Sequence, residues 1–228
     1  MKNKPNDVAV ITGDIVGSSK LDAERRLLLY KTFPNLSNRL GEIYPDAVKY
    51  RISNFRGDGW QIVVNSPEKA VEISLFIRTY IRFTFQDEKL DTRIAIGIGP
   101  VQFVPEDNVS AGDGPAYLTS GHLLETMADG FMGIDFSSVS KDNLLFDSLV
   151  NLIGLLDVLV TSWGPGHSQA VNLAMQGLLQ KEIASTWWPG PIKQPSVSKS
   201  LQIAGWSQVK SSLLLMERLI TARLKDGK

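Results

Sequence analysis

The chain has 228 residues, 43% of them hydrophobic, enough for one large domain or for a medium and a small one. It holds no cysteine and only two histidines, which excludes disulfides and thiolate zinc sites and nearly excludes an imidazole site, so any metal has to be held by carboxylates. The net charge of zero hides an asymmetry: residues 1–165 carry 16 basic and 21 acidic side chains, whereas residues 166–228 carry 8 and 3, the balance of a solvated surface or of a compact nucleic-acid-binding module.

The opening MKNKPND runs directly into VAVITG, too short for a signal-peptide core, and a cytoplasmic location is expected. Residues 7–13 form an apolar, β-branched run ending at Gly13-Asp14, the pattern of a buried central strand. Residues 21–43 repeat apolar side chains at helical spacing, with Pro34 predicting a kink or break midway. Two alternating strands over 48–55 and 60–64 are joined by the tight turn Arg56-Gly57-Asp58-Gly59, and an amphipathic helix over 67–84 leads to a further strand over 92–98. Strand–helix–strand–strand–helix–strand is the order of a ferredoxin-like split βαβ, so an α+β domain with an antiparallel sheet is expected. A polar loop over 105–114, a helix over 115–127 and an edge strand over 131–136 follow.

Residues 144–163 are apolar over a length that raises the question of a membrane span, but Asp147, Asn151 and Asp157 interrupt them. Mid-helix aspartates are costly in lipid, so a connecting or dimer-packing helix is expected and no membrane partner. Trp163-Gly164-Pro165-Gly166 is a natural break. The expected division is therefore 1–143, a connecting segment over 144–165, and an all-α module over 166–228 that closes with an apolar-striped helix over 207–224.

Two motifs carry chemistry. Ile11-Thr12-Gly13-Asp14-Ile15-Val16-Gly17-Ser18 and Phe55-Arg56-Gly57-Asp58-Gly59-Trp60 each place an aspartate beside a strand end, and in a split βαβ sheet those ends are neighbours. Asp14 and Asp58 can then share one Mg²⁺ or Mn²⁺ bearing nucleotide phosphates, or they can serve as a cap and a turn residue. Ile15, Val16, Gly17 and Ser18 form a glycine-containing turn whose backbone N–H groups suit phosphates.

GDIVGS, RGDGW, TRIAIGIGPV and GDGPAYLTSGHLLE resemble successive blocks of the class III adenylate and guanylate cyclases, and VITGDIVGS with RGDGWQ is similar to the bacterial SatD-like family. The resemblance covers roughly residues 8–128 and implies a cyclase-type palm whose metal-binding aspartates are Asp14 and Asp58. The resemblance makes Asn54, which stands where the cyclases carry a purine-selecting lysine, and Arg56, a charge beside Asp58, further nucleotide-site residues. Residues 117–122 lack the cyclase asparagine and arginine that orient ribose and stabilise the transition state, His122 being the nearest polar substitute.

Further on, QKEIA over 180–184 and QPSVSKSL over 194–201 resemble the two helices of a bacterial helix-turn-helix, with a bulkier connection than usual. That resemblance puts Ile183, Ala184, Val197 and Leu201 in a small core. Lys181, Lys193, Gln194, Ser196, Ser198, Lys199 and Gln202 are then the candidate contacts to duplex DNA. Three readings stay open: a DNA-binding regulator with a metal–nucleotide sensor domain, a divergent nucleotidyl cyclase or nucleotidyltransferase, and a cyclase-type fold used only for dimerisation. A homodimer with a nucleoside triphosphate ligand is expected for the first.

Overall fold

The computed structural model describes residues 7–55, 57–87, 89–138 and 144–226. A five-stranded sheet has the order β2-β3-β1-β4-β5. Its centre is β1 (Val8–Val16), paired antiparallel on one side with β3 (Gly59–Val64) and on the other with β4 (Asp91–Gly99). The short β2 (Ser53–Phe55) pairs antiparallel with β3 at one edge. Its expected first half, from residue 48, lies outside the ladder because the Ile52 N–H donates to Ser37 Oγ on the neighbouring helix at 2.9 Å. At the other edge β5 (Met132–Phe136) joins β4 in parallel, which departs from a purely antiparallel sheet. A parallel neighbour needs a crossover, and helix α3 (Pro115–Thr126) supplies it.

The helices α1 (Ala23–Ile43) and α2 (Ala70–Thr84) cover one face of the sheet. The expected break at Pro34 does not occur: α1 runs through it, burying Leu29, Phe33, Leu36 and Leu40 along one stripe. Pro34 lies on the exposed side, where water can satisfy the carbonyl of the equally exposed Tyr30 that the missing N–H leaves without a partner. Asp22 caps the helix, accepting the Arg25 N–H at 2.8 Å. The opposite face of the sheet carries α3 over a smaller cluster of Val8, Val10, Val63, Ala116 and Tyr117.

Five more helices follow: α4 (Leu144–Thr161), α5 (Pro165–Met175), α6 (Gln180–Ser185), α7 (Gln194–Ile203) and α8 (Trp206–Asp226). Helix α5 packs on α2, and Asn172 Nδ2 donates to the Phe76 carbonyl at 2.9 Å and to Thr79 Oγ1 at 3.0 Å. Helix α8 lies beside the turn before α2, where Lys69 Nζ pairs with Glu217 at 2.8 Å. One apolar core runs from Ile11 and Trp60 in the sheet to Ala170, Val197 and Met216 in these helices.

Among the described residues α4 is the one helix long and apolar enough to cross a membrane by length and composition. Its Asp157 shows what the interrupting charge does. Arg78 of α2, wholly buried, donates Nε and Nη2 to the two carboxylate oxygens of Asp91 at 2.8 and 3.0 Å, and Nη1 to Asp157 Oδ1 at 2.5 Å. Asp157 Oδ2 accepts the Phe131 N–H at 2.7 Å, and the Phe131 ring lies 4.7 Å from the guanidinium carbon. The aspartate thus ties α4 to α2, to the start of β4 and to the approach to β5.

Candidate functional site

Alternation along β1 sends Ile11 and Ile15 into the core beneath α1 and α2, and Thr12 and Asp14 to the side that α3 partly covers. Register then decides their neighbours. On one side Asp14 faces Gly59 and Thr12 faces Gln61; on the other Asp14 faces Arg93. The turn preceding Gly59 brings in Asp58, whose carbonyl accepts the Ile15 N–H at 3.1 Å. Thr92 pins the same strand end, since its Oγ1 donates to the Asp14 carbonyl at 2.8 Å and accepts Trp60 Nε1 at 2.9 Å.

The Asp14 carboxylate is held by Arg93, which donates Nε to Oδ1 at 3.0 Å and Nη2 to Oδ2. This bond with Asp14 raises the guanidinium pKa, burial opposes the rise, and the charges of Asp14 and Asp58 add to it. Asp58 is therefore within electrostatic reach of the same arginine. Its Oδ2 also accepts Ser18 Oγ at 3.3 Å. Asp14, Asp58 and Arg93 stand at one end of a cleft of about 650 Å³ whose floor includes Thr12 and Gln61 and whose wall is α3, with Tyr117, Leu118 and Leu124. The Tyr117 hydroxyl donates to the Val109 carbonyl at 2.8 Å, and burial pushes its pKa up to about 12.

The other expected nucleotide-site residues fall around this cleft in different ways. Gly17 has φ +89°, a conformation that a residue with a Cβ rarely adopts, and it starts the turn Ser18–Lys20. Ile15 commits its N–H to Asp58 and buries its side chain, and Val16 is the exposed last residue of β1. Asn54 lines not this cleft but a neighbouring pocket of about 550 Å³ on the α1 side, which shares Phe55 and Asp58 with the cleft and is also lined by Ser18. Arg56 lies outside the described residues. His122 is exposed on α3 and does not line the cleft. Sequence reasoning missed Arg93, Thr12 and Gln61; the available signal was a polar residue, Gln61, inside the otherwise apolar strand Trp60–Val64.

No group of three or more histidine, aspartate or glutamate side chains suited to a metal occurs among the described residues. The donor set available is Asp14 with Asp58. Two carboxylates fit Mg²⁺ or Mn²⁺ that takes its remaining ligands from water and phosphate oxygens.

In the C-terminal helices Ile183, Ala184, Val197 and Leu201 are buried as expected. Lys181, Lys193, Gln194, Ser196, Lys199 and Gln202 are exposed and Ser198 is half-buried. Gln194 Nε2 donates to Gln180 Oε1 at 2.6 Å, linking the start of α7 to the start of α6. Ser198 and Gln202 line a groove of about 710 Å³ between α7 and α8, with Trp206 and Lys210.

No protein-family model and no curated relative matches the sequence. Among solved structures the chain is similar to the guanylyl cyclase Cya2, at 17% identity and TM-score 0.44 over 59% of this chain and 77% of that one. It is also similar to bacterial light-regulated adenylyl cyclases, at 16% identity and TM-score 0.42, where it spans 44% and 43% of the two chains.

Proposed function

We propose that the cleft between the sheet and α3 binds a nucleoside triphosphate through Mg²⁺ or Mn²⁺, and that the chain acts on it as a divergent nucleotidyl cyclase or nucleotidyltransferase. The observation that carries this reading is the convergence of two carboxylates and one guanidinium, Asp14, Asp58 and Arg93, at one end of a cleft large enough for a nucleotide. Asp14 and Asp58 would hold the cation, which supplies charge neutralisation on the phosphates. Arg93 would turn from Asp14 to the phosphate oxygens, since a bidentate guanidinium suits phosphate as well as carboxylate. Phosphoryl-type transfer depends mainly on positioning and charge, which these three groups offer.

The test is thermal unfolding with ATP or GTP, with and without Mn²⁺. The expected result is a rise in Tm that needs the divalent ion and is lost in both Asp14→Ala and Asp58→Ala. A metal-independent rise, or one that survives Asp14→Ala, places the ligand elsewhere. Release of pyrophosphate by the full chain then distinguishes an enzyme from a binder.

A second reading, a DNA-binding regulator, is supported by α7, which buries Val197 and Leu201 while exposing Gln194, Ser196, Lys199 and Gln202. Duplex binding by the full chain should weaken as salt rises, and Lys199→Ala should flatten that slope by about one unit. Salt-independent binding, or none, removes this reading. A homodimer is supported by Leu155 and Val158 on α4 and Leu214 and Leu215 on α8, all exposed. Light scattering that returns a mass near 25.1 kDa at all micromolar concentrations would refute it.

A further inference from the structure

The floor of the cleft carries a directed hydrogen-bond relay. Gln61 Nε2 lies 2.7 Å from Thr12 Oγ1, Thr12 Oγ1 lies 2.8 Å from Ser120 Oγ, and Ser120 Oγ lies 3.1 Å from the Tyr117 carbonyl. A backbone carbonyl can only accept, so Ser120 spends its single hydrogen on Tyr117 and must accept from Thr12. Thr12 in turn has spent its hydrogen on Ser120 and must accept from Gln61. The relay therefore fixes which end of the Gln61 amide faces Thr12: it is the NH₂. The reversed amide would set Gln61 Oε1 against an oxygen with no hydrogen left to give.

The consequence lies at the other end of the amide. Gln61 is 93% buried, borders the cleft, and its Oε1 takes no hydrogen bond among the described residues. Oε1 is not fully enclosed: it opens onto the cleft, where solvent or a ligand donor can satisfy it, so the amide presents a ready-oriented acceptor to whatever fills the cleft. Its place is also defined. Thr12 and Gln61 are cross-strand partners two residues along β1 from Asp14, a spacing of about 7 Å at the usual strand rise.

We infer that Gln61 is a specificity-determining residue, its Oε1 accepting a hydrogen bond from the nucleoside part of the ligand, a sugar hydroxyl or a base amino group, while Thr12 and Ser120 hold it in that orientation. This rests on the reading that the phosphates sit at Asp14 and Asp58. A nucleotide so anchored carries its nucleoside along the sheet toward Gln61. Unlike the carboxylates, the relay contributes nothing to the phosphates.

The experiment is calorimetry of the full chain with Mn²⁺, using wild type, Gln61→Leu and Thr12→Val. The ligands are ATP, GTP, their 2′-deoxy and 3′-deoxy forms, ITP, which has neither purine amino group, and inorganic tripolyphosphate. In wild type, removal of one ligand donor should weaken binding roughly ten- to hundred-fold. In Gln61→Leu and Thr12→Val the same removal should cost little, because the two losses are one interaction. The deoxy and ITP arms tell a hydroxyl from an amino group. Tripolyphosphate should bind all three proteins alike.

If Gln61→Leu keeps every wild-type preference, or weakens tripolyphosphate as much as the nucleotides, the inference fails while the site stands. If tripolyphosphate and nucleotides bind wild type but survive Asp14→Ala, or do not bind at all, the site reading fails and the inference with it.

Discussion

Replacing Asp157 by alanine should destabilise the protein by about 4 kcal/mol. Arg78 is wholly buried and would keep Asp91, which it already shares with Arg82, and the neutral Thr161 hydroxyl, to which Nη2 donates at 2.8 Å. Removing one partner from a buried ion pair costs about 3–5 kcal/mol, and the retained bidentate contact to Asp91 puts this case near the lower end, about 3 kcal/mol. The Phe131 N–H, which donates to Asp157 Oδ2 at 2.7 Å, loses its acceptor as well, adding about 1 kcal/mol. For a chain of this length each kcal/mol moves Tm by about 2–4 °C, so the expected fall is about 8–16 °C by circular dichroism. Asp157→Asn keeps one acceptor oxygen and should lose about half as much, since hydrogen bonds to a neutral partner are weaker. A loss below about 1 kcal/mol in Asp157→Ala would mean that Asp91 and Thr161 satisfy Arg78 without it and that the aspartate in α4 is not structural.

The Asp14–Arg93 pair is partly exposed, at 25% and 38% of the side chains, so Arg93→Ala should cost less than about 1 kcal/mol of stability. It should raise Mn²⁺ affinity in the absence of nucleotide by removing the competing cation, while lowering tripolyphosphate affinity; calorimetry that shows both falling together would refute the competition. A Cβ on Gly97 would stand 2.4 Å from the Ala116 carbonyl oxygen and from the Ser120 nitrogen, both backbone atoms, so Gly97→Ala must push α3 off β4. An unfolding free energy lower by about 1–3 kcal/mol is expected, and an unchanged one would mean that α3 is loosely seated. Tyr117 has its pKa raised to about 12 by burial, so the stability its neutral form contributes is intact below pH 10 and lost as pH rises toward 12. A Tm profile of wild type should fall across that window more steeply than Tyr117→Phe, and parallel curves would contradict the assignment.

What could be read from the residues alone was what depends on neighbours in sequence. The apolar run ending at Gly13-Asp14, the hairpin around Asp58 and the helical spacing before and after it are local signals, and they place both aspartates at adjacent strand ends. Local signals do not carry register. Arg93 is 79 residues from Asp14 and meets it only because β4 pairs with β1 in one alignment out of several, a shift of one residue sending the guanidinium to the opposite face. The same holds for Asp157, which reads as an interruption of an apolar helix until Arg78 is seen beneath it. Pro34 misleads in the other direction, because a helix tolerates proline when the lost bond falls on its wet side and the buried stripe continues on the other. Gln61 lies between these cases. It is the sole polar side chain in β3, and an amide in a fully buried strand asks for partners. Their identity comes from the fold: Thr12 faces it across β1, Ser120 comes down from α3, and the fixed direction of their hydrogen bonds turns an ordinary glutamine into an acceptor facing the cleft.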